Sequence, residues 1–229
     1  MNNRYPPERL EKKIGYEFKD KELLLTALTH SSFKNEPGGG ARDDYERQEF
    51  LGDAVLELVS SEFIYRSHPD MREGEMTKLR ASIVCEPSLA ESAKEIELSE
   101  HIILGHGEDM RNSRYKDSIV SDVFEALIGG IFLDSGLEEA GSFIKRFLLN
   151  DIEKKAIFRD SKTQLQNLIQ SEGRSLEYVI VDESGPDHCK SFTIAALIDG
   201  EETARGKGSS KKAAAQQAAY ETLRKLRKS

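Results

Sequence analysis

Three acidic residues recur at helical spacing within one largely apolar stretch of the sequence. Glu46, Glu49 and Asp53 are separated by three and four residues, so a helix over this stretch places them on one stripe. Most of their neighbours are apolar, which predicts a buried helix from Glu46 to about Arg66. Like charges at these spacings repel, and buried carboxylates are costly without a cation or a hydrogen-bond partner. The pattern therefore indicates a divalent metal ion.

A second acidic pair lies in the most apolar segment of the chain. Asp122 and Glu125 stand three residues apart within a predicted helix from Ser118 to Leu133. With Glu49 and Asp53, this pair supplies four carboxylates on two buried helices. Such hard oxygen ligands suit Mg²⁺ or Mn²⁺, which bind through few carboxylates and keep water or substrate phosphate in the remaining positions. The matching reaction is phosphodiester hydrolysis, in which the ion activates a bound water and neutralises phosphoryl charge.

The ordinary role of an acid on a helix is to be solvated or ion-paired, and Glu57 and Glu62 fit that role. Four acids within two otherwise apolar helices fit it less well. The histidines at positions 30, 68, 101 and 106 lack metal-ligand spacing. The sequence also has no nucleophilic serine motif, Walker-type loop or dinucleotide fingerprint, so no organic cofactor is expected.

Both predicted acidic helices contain glycine in their interior. Gly52 lies inside the first, and Gly129 and Gly130 lie inside the second. A glycine in a helix interior costs about 1 kcal/mol relative to alanine and usually marks the close approach of a neighbouring backbone. These positions therefore predict close helix packing.

Composition places the chain among globular proteins. Its 229 residues are 38% hydrophobic, enough for a substantial core in one large or two ordinary domains. Neither a membrane span nor the apolar core of a signal peptide is recognisable, which predicts a cytoplasmic protein without membrane association. Cys85 and Cys189 do not indicate a disulfide framework or a metal site.

The charge and the periodicity both change near residue 150. Residues 1–150 hold 19 Lys and Arg against 29 acids, a balance of -10, whereas residues 151–229 hold 14 against 12, a balance of +2. No strand pattern precedes residue 175. We therefore expect an all-α N-terminal domain over residues 1–152, a linker over 153–160, and a small α+β domain over 161–229. The second domain should have the order α-β-β-β-α, with helices at Thr163–Gln170 and Lys211–Lys225 and strands at Tyr178–Val181, Phe192–Ile198 and Glu202–Gly206.

The first helix of the second domain carries a polar face. Thr163, Gln166 and Asn167 lie opposite an apolar face that includes Leu168. Their uncharged donors and acceptors suit ribose hydroxyls and base edges in the shallow minor groove of RNA. Solvent exposure explains them equally well.

The last helix begins with Lys211 and Lys212, where the helix dipole disfavours cations. A phosphate resolves this conflict, because free N–H groups and the hydroxyls of Ser209 and Ser210 lie at the same end. The pattern favours nucleic acid over an ordinary charged cap.

Two motifs in the first domain and three in the second resemble known families. Glu46–Leu56 resembles the signature of bacterial ribonuclease III, and Ser121–Gly129 resembles the second acidic motif of that family. Three stretches of the second domain resemble a double-stranded-RNA-binding domain: Lys162–Thr163 with Leu165–Gln166, Gly185–His188 and Gly206–Ala213. The resemblance covers nearly the whole chain.

The resemblance implies a ribonuclease III-like endonuclease domain followed by a double-stranded-RNA-binding domain. It implies a homodimer that uses Mg²⁺, for which Mn²⁺ can substitute, to cut duplex RNA into 5′-phosphate and 3′-hydroxyl ends. The substrates implied are rRNA precursors and other structured RNAs, including mRNA and tRNA. The residues implied are metal ligands Glu49, Asp53, Asp122 and Glu125, with Asp53 and Glu125 catalytic; site-supporting Glu46 and Glu73; Phe50 at the dimer interface; and RNA contacts Thr163, Gln166, Asn167, His188, Lys211 and Lys212, beside the hydroxyl of Ser210.

The sequence departs from the family pattern at two places. Gln48 stands where leucine is frequent, and Met110–Ser113 replace a glycine-rich stretch. Neither touches the four acids, so we expect altered local packing or RNA contact with retained activity. Two alternatives remain open: a catalytically silent duplex-RNA-binding protein of the same fold, which the four acids disfavour, and a metal phosphohydrolase acting on small nucleotides, which leaves the second domain without a role.

Overall fold

The computed structural model describes residues 6–36, 43–150, 161–184, 190–208 and 210–226. These residues divide into two compact units, Met1–Asn150 and Asp151–Ser229. The expected linker at 153–160 and the expected RNA contact His188 lie outside the described residues. Within the described ranges, no helix is long and apolar enough to cross a membrane.

The first unit is helical, as the sequence predicts. Short 3₁₀ turns and one isolated bridge between Thr29 and Ile103 connect its helices. Asp20 begins the second helix by accepting a hydrogen bond from the Glu22 backbone N–H at 2.9 Å. The helices are α1 Pro7–Ile14, α2 Lys21–Ala27, α3 Glu46–Ser67, α4 Glu73–Ile83, α5 Glu86–Glu95, α6 His106–Met110 and α7 Asp117–Phe147.

The two acidic helices, α3 and α7, pack backbone to backbone. A Cβ added at Gly52 of α3 would lie 1.8 Å from the carbonyl oxygen of Glu125. A Cβ added at Gly129 of α7 would lie 2.2 Å from the carbonyl oxygen of Gln48. The predicted close approach at both glycines is therefore confirmed, and it sets the two acidic pairs side by side.

Gly136 has φ 82° and ψ -173°, a non-helical backbone that divides α7 into two helical stretches. This agrees with a predicted helix Ser118–Leu133 that ends just before the glycine. The expected burial of α3 on most of its surface is wrong. Phe50, Leu58 and Tyr65 are 81%, 57% and 72% exposed and lie on one face, because their spacings are close to whole helical turns.

The second unit has the predicted order α-β-β-β-α. Helix α8 spans Ser161–Ser171, the strands are β1 Leu176–Ser184, β2 Ser191–Ile198 and β3 Glu201–Gly208, and helix α9 spans Lys211–Leu226. The strands form an antiparallel sheet in the order β1-β2-β3.

Both helices of the second unit contribute to its core. Leu165 and Ile169 of α8 are fully buried, whereas Leu168, which the sequence places on the inner face, is 37% exposed. A Cβ added at Gly206 of β3 would lie 2.1 Å from the Ala218 backbone nitrogen of α9. Only glycine therefore allows this contact between strand and helix.

Candidate functional site

The four predicted acids line one open pocket of about 580 Å³ in the first unit. Glu49 and Asp53 come from α3, and Asp122 and Glu125 come from α7. Their convergence follows from the glycine contacts, because the two backbones touch where the acids lie. The remaining lining residues are Tyr45, Glu46 and Phe50.

The carboxylates of this acid pocket share their negative charge without a cationic partner. In the part of the chain that is described, no Lys or Arg forms an ion pair with any of the four. Burial raises the pKa of Glu125 to about 8, and the charges of Asp53 and Glu49 add to the effect. Burial likewise raises the pKa of Glu49 to about 7, with a further contribution from Asp122. Neighbouring carboxylates therefore make the ionisation of Glu49 and Glu125 more difficult than burial alone would.

Asp122 has a more mixed environment. Burial raises its pKa, and the charge of Glu86 acts in the same direction. The Tyr45 hydroxyl and His30 oppose this rise. Asp122 therefore has nearby groups that favour its charged form.

The donor chemistry of the acid pocket fits a hard divalent cation. Four carboxylates supply oxygen ligands, and a cation among them would offset both the burial and the like charges that raise the pKa of Glu49 and Glu125. The described residues contain no preformed group of three or more His, Cys, Asp or Glu side chains able to hold an ion.

The two predicted supporting acids lie in different places. Glu46 lines the acid pocket at the start of α3. Glu73 begins α4 and lines a separate pocket of about 520 Å³ between α3 and α4, together with Leu58, Tyr65 and Met76. Within one chain, the structure therefore does not bring Glu73 to the four acids.

The acids interpreted as ordinary surface residues are ion-paired. Glu57 pairs with Arg80 at 2.8 Å, and Glu62 pairs with Arg66 at 2.9 Å. These pairs confirm the distinction between the α3 acids that have a basic partner and those that line the pocket.

Tyr45 is a lining residue that sequence reasoning missed. It directly precedes α3, and its backbone N–H donates to the Thr29 carbonyl oxygen at 2.9 Å. Its ring meets the His30 ring edge to face, with 5.7 Å between centroids. The only available signal was its position immediately before the acidic helix.

The polar face predicted on α8 is present. Thr163 and Asn167 are exposed and Gln166 is half-buried, while Leu165 and Ile169 point into the core. The face is therefore available to a ligand.

The first turn of α9 carries the predicted cations. Lys211 and Lys212 are exposed there. The Ser210 hydroxyl accepts a hydrogen bond from the Ala213 N–H at 3.1 Å, so this side chain caps the helix.

Apart from Lys225, which donates to the Thr203 carbonyl oxygen, the described basic side chains of the second unit fall into two groups. One group is ion-paired: Arg174 with Asp199, Lys190 with Glu183, Arg205 with Glu202 and Arg224 with Glu221. The other group pairs with no carboxylate of the described residues and comprises Lys162, Lys207, Lys211 and Lys212. Three of these four lysines lie in the first turn of α8 or α9. Free positive charge is therefore concentrated at two helix N-termini, where anions bind.

Comparison with known proteins gives matches over both units. Residues 20–152 match the family described as "Ribonuclease-III-like", and residues 161–226 match the "Double-stranded RNA binding motif". The nuclease domain of ribonuclease III from Campylobacter jejuni has a similar structure, with a TM-score of 0.59 and 41% sequence identity. That similarity covers 64% of this chain and 98% of the Campylobacter chain.

Full-length relatives match as well. "Ribonuclease 3" of Pelotomaculum thermopropionicum is 47% identical over 220 residues, covering 94% of this chain and 91% of the relative. "Ribonuclease 3" of Bacillus licheniformis is 45% identical over 224 residues, covering 96% and 90%. Because the family model covers residues 20–152 and a relative 47% identical is matched over 94% of this chain, the chain belongs to the ribonuclease III family.

Proposed function

We propose that this chain is an endoribonuclease that cuts double-stranded RNA with Mg²⁺, or Mn²⁺ in its place, leaving 5′-phosphate and 3′-hydroxyl ends. The observation that carries the proposal is the acid pocket, where four carboxylates from two packed helices lack any described basic partner. Family membership supports the reaction class. No observation on the described residues favours the catalytically silent alternative.

In this proposal, the metal is held by Glu49, Asp53, Asp122 and Glu125. When bound, it supplies a water of lowered pKa and positive charge for the phosphoryl oxygens. The chain fixes where this chemistry occurs, because the contact between Gly52 and the Glu125 backbone prevents α3 and α7 from shifting independently. We assign the essential catalytic roles to Asp53 and Glu125, one from each helix.

We propose that the second unit holds the duplex. Thr163, Gln166 and Asn167 would meet the minor groove, and Lys211 and Lys212 would meet phosphates across the neighbouring groove. Their exposure supports this assignment. Ser210 and His188 belong to the same proposed surface, and His188 lies outside the described residues.

We propose that two copies form a homodimer through α3. Phe50, Leu58 and Tyr65 expose 81%, 57% and 72% of their surface on one helix face, and such grouped apolar side chains mark interaction sites. A twofold axis pairs one surface patch with itself, so Phe50 of each chain can fill the partner's pocket between α3 and α4. The solved Campylobacter structure is described as flexible in a "region involved in dimer formation".

This dimer supplies a place for Glu73. Phe50 lines the acid pocket, and Glu73 lines the pocket that would receive the partner's Phe50. Docking Phe50 therefore brings the partner's Glu73 beside the four acids. Glu73 would then support the acid pocket of the partner chain, whereas Glu46 supports the pocket of its own chain.

One assay separates the proposed reaction from its alternatives. Purified protein is incubated with long duplex RNA and Mg²⁺, beside Glu125→Gln and the matched control Glu91→Gln at an exposed acid of α5. We expect cutting by the parent and by Glu91→Gln, and binding without cutting by Glu125→Gln. Tight binding of uncut duplex by the parent would favour the silent protein. Neither binding nor cutting would favour the small-nucleotide phosphohydrolase.

The same proposal includes three broader statements. The domains are residues 1–152 and 161–229 with a linker at 153–160, the substrates are rRNA precursors and other structured RNAs including mRNA and tRNA, and the location is the cytoplasm. The two compact units and the two family matches support the division into domains.

A further inference from the structure

Two of the lysines without a carboxylate partner lie over aromatic rings. The Lys162 ammonium, in the first turn of α8, lies 4.8 Å from the centroid of the Tyr178 ring. The Lys211 ammonium, at the start of α9, lies 5.8 Å from the centroid of the Phe192 ring. Both distances fall within the range of cation–π attraction.

The rings that receive these lysines are fixed by the core. Phe192 belongs to the buried cluster formed by β2 and α9, and Tyr178 of β1 packs against both core clusters of the unit. The Tyr178 hydroxyl is buried and forms no hydrogen bond with the described residues. Among these residues, the polar contact of this side chain is the one between its ring face and the Lys162 ammonium.

An aromatic ring and a carboxylate restrain a cationic side chain in different ways. The ion pairs of Arg174 and Arg205 restrict their side chains but also cancel their charge. A ring quadrupole attracts the ammonium and leaves its full positive charge for another anion. The ring also offsets the unfavourable dipole that a cation meets in the first turn of a helix.

We propose that Tyr178 and Phe192 are positioning residues, which hold Lys162 and Lys211 in place for phosphate contact without neutralising them. The inference rests on the proposed binding of duplex RNA by this unit. Fixing the two lysines before binding reduces the side-chain entropy lost when a phosphate is engaged. Lys207 and Lys212 have no such ring contact among the described residues and serve as comparisons.

A double-mutant cycle in the full chain tests this role. Each protein also carries Glu125→Gln, so that duplex RNA is bound without being cut. Tyr178→Leu is compared in the Lys162 and the Lys162→Ala backgrounds, and Phe192→Leu in the Lys211 and the Lys211→Ala backgrounds. Tyr178→Phe and Phe192→Tyr keep the ring and are the matched controls. Thermal unfolding establishes that each variant is folded.

We expect each leucine variant to weaken binding about 2–5-fold when its lysine is present and less than about 1.5-fold when the lysine is already alanine. The ring-preserving variants should bind as the parent does. Equal losses in both backgrounds, or alanine variants that bind as tightly as the parent, would overturn the inference. If Phe192→Leu does not fold, the inference is tested by the cycle of Lys162 with the half-buried Tyr178 alone. A parent that does not bind duplex RNA would instead refute the proposed function.

Discussion

The clustering of like charges at Glu125 makes the acid pocket a source of instability in the metal-free protein. The folded state raises the pKa of this carboxyl from an ordinary value of 4.5 to about 8. Between these values the folded chain holds a proton that the unfolded chain has released. The stability contributed by protonated Glu125 is therefore fully present below about pH 4.5 and is lost as the pH rises toward 8.

Glu125→Gln should therefore stabilise the metal-free protein. The amide keeps the shape of the acid and never ionises, so we expect a gain of about 0.5–2 kcal/mol in the free energy of unfolding at alkaline pH. The gain should shrink as the pH falls. Thermal unfolding in a chelator across this pH range measures it, with Glu62→Gln as the control at an ion-paired surface acid. An unchanged melting temperature at alkaline pH would contradict the prediction.

Gln48 is a second residue whose replacement should stabilise the fold. It is only 5% exposed, and its side-chain oxygen has no hydrogen-bond partner among the described residues. A buried polar group without a partner costs about 1–3 kcal/mol, and leucine is apolar and of similar size. We expect Gln48→Leu to raise the free energy of unfolding by about 1 kcal/mol without loss of RNA cutting. Chemical denaturation measures the change, and a lower midpoint for the variant would show that the amide has a partner in solution.

The contact between α3 and α7 depends on Gly52. Helix propensity alone favours alanine over glycine by about 1 kcal/mol, so Gly52→Ala would stabilise an isolated helix. In the folded chain, the added Cβ would meet the Glu125 carbonyl oxygen at 1.8 Å, and backbone cannot move away as a flexible side chain can. We expect Gly52→Ala to destabilise the protein by about 3 kcal/mol or to prevent folding.

Gly74 supplies the matched control for that substitution. It lies in the first turn of α4, and a Cβ added there meets nothing within 4 Å. Gly74→Ala should therefore stabilise the protein by about 0.5–1 kcal/mol. Chemical denaturation of both variants measures the two changes in the free energy of unfolding, which should have opposite signs. Stabilisation by Gly52→Ala would contradict the contact between the α3 and α7 backbones.

At the scale of elements, the sequence predicted what local periodicity and special residues determine. Spacing identified the acidic stripe of α3, and Gly52 indicated its backbone contact. Periodicity could not separate core from interface, because Phe50 and Leu58 are as apolar as core residues yet face outward. Tyr45 was missed because its role depends on a tertiary contact with His30. None of these positions carries a local signal for its final environment.

Arg114 illustrates the same limit for a charged residue. It is fully buried, and its guanidinium forms an ion pair with Asp109 and donates to the carbonyl oxygens of Ser99 and Ile102. Charged residues are seldom buried, so sequence patterns place them on the surface by default. Asp109 is only five residues away, but Ser99 and Ile102 are 15 and 12 residues away, and one sequence does not reveal that these groups meet.

At the scale of the whole molecule, charge is divided between two tasks. The first unit is strongly acidic, which suits a metal-dependent pocket but repels a polyanionic substrate. The second unit leaves four lysines without a carboxylate partner among its described residues, and these can attract phosphates. Binding and cutting are therefore separable properties of the chain.

The proposed dimer predicts that Phe50 controls cutting without controlling RNA binding. We expect Phe50→Ser to raise the dimer dissociation constant about 10–100-fold, because a buried aromatic anchor contributes about 2 kcal/mol or more at an interface. Cutting should fall in proportion to the dimer, because a monomer lacks the partner's Glu73. Duplex binding by the second unit should persist. Sedimentation measures the dimer dissociation constant, and a cleavage assay measures the cutting of duplex RNA. Met110→Ser is the control, because Met110 is 72% exposed but lies outside α3. A Phe50→Ser protein that dimerises as tightly as the parent would require another interface.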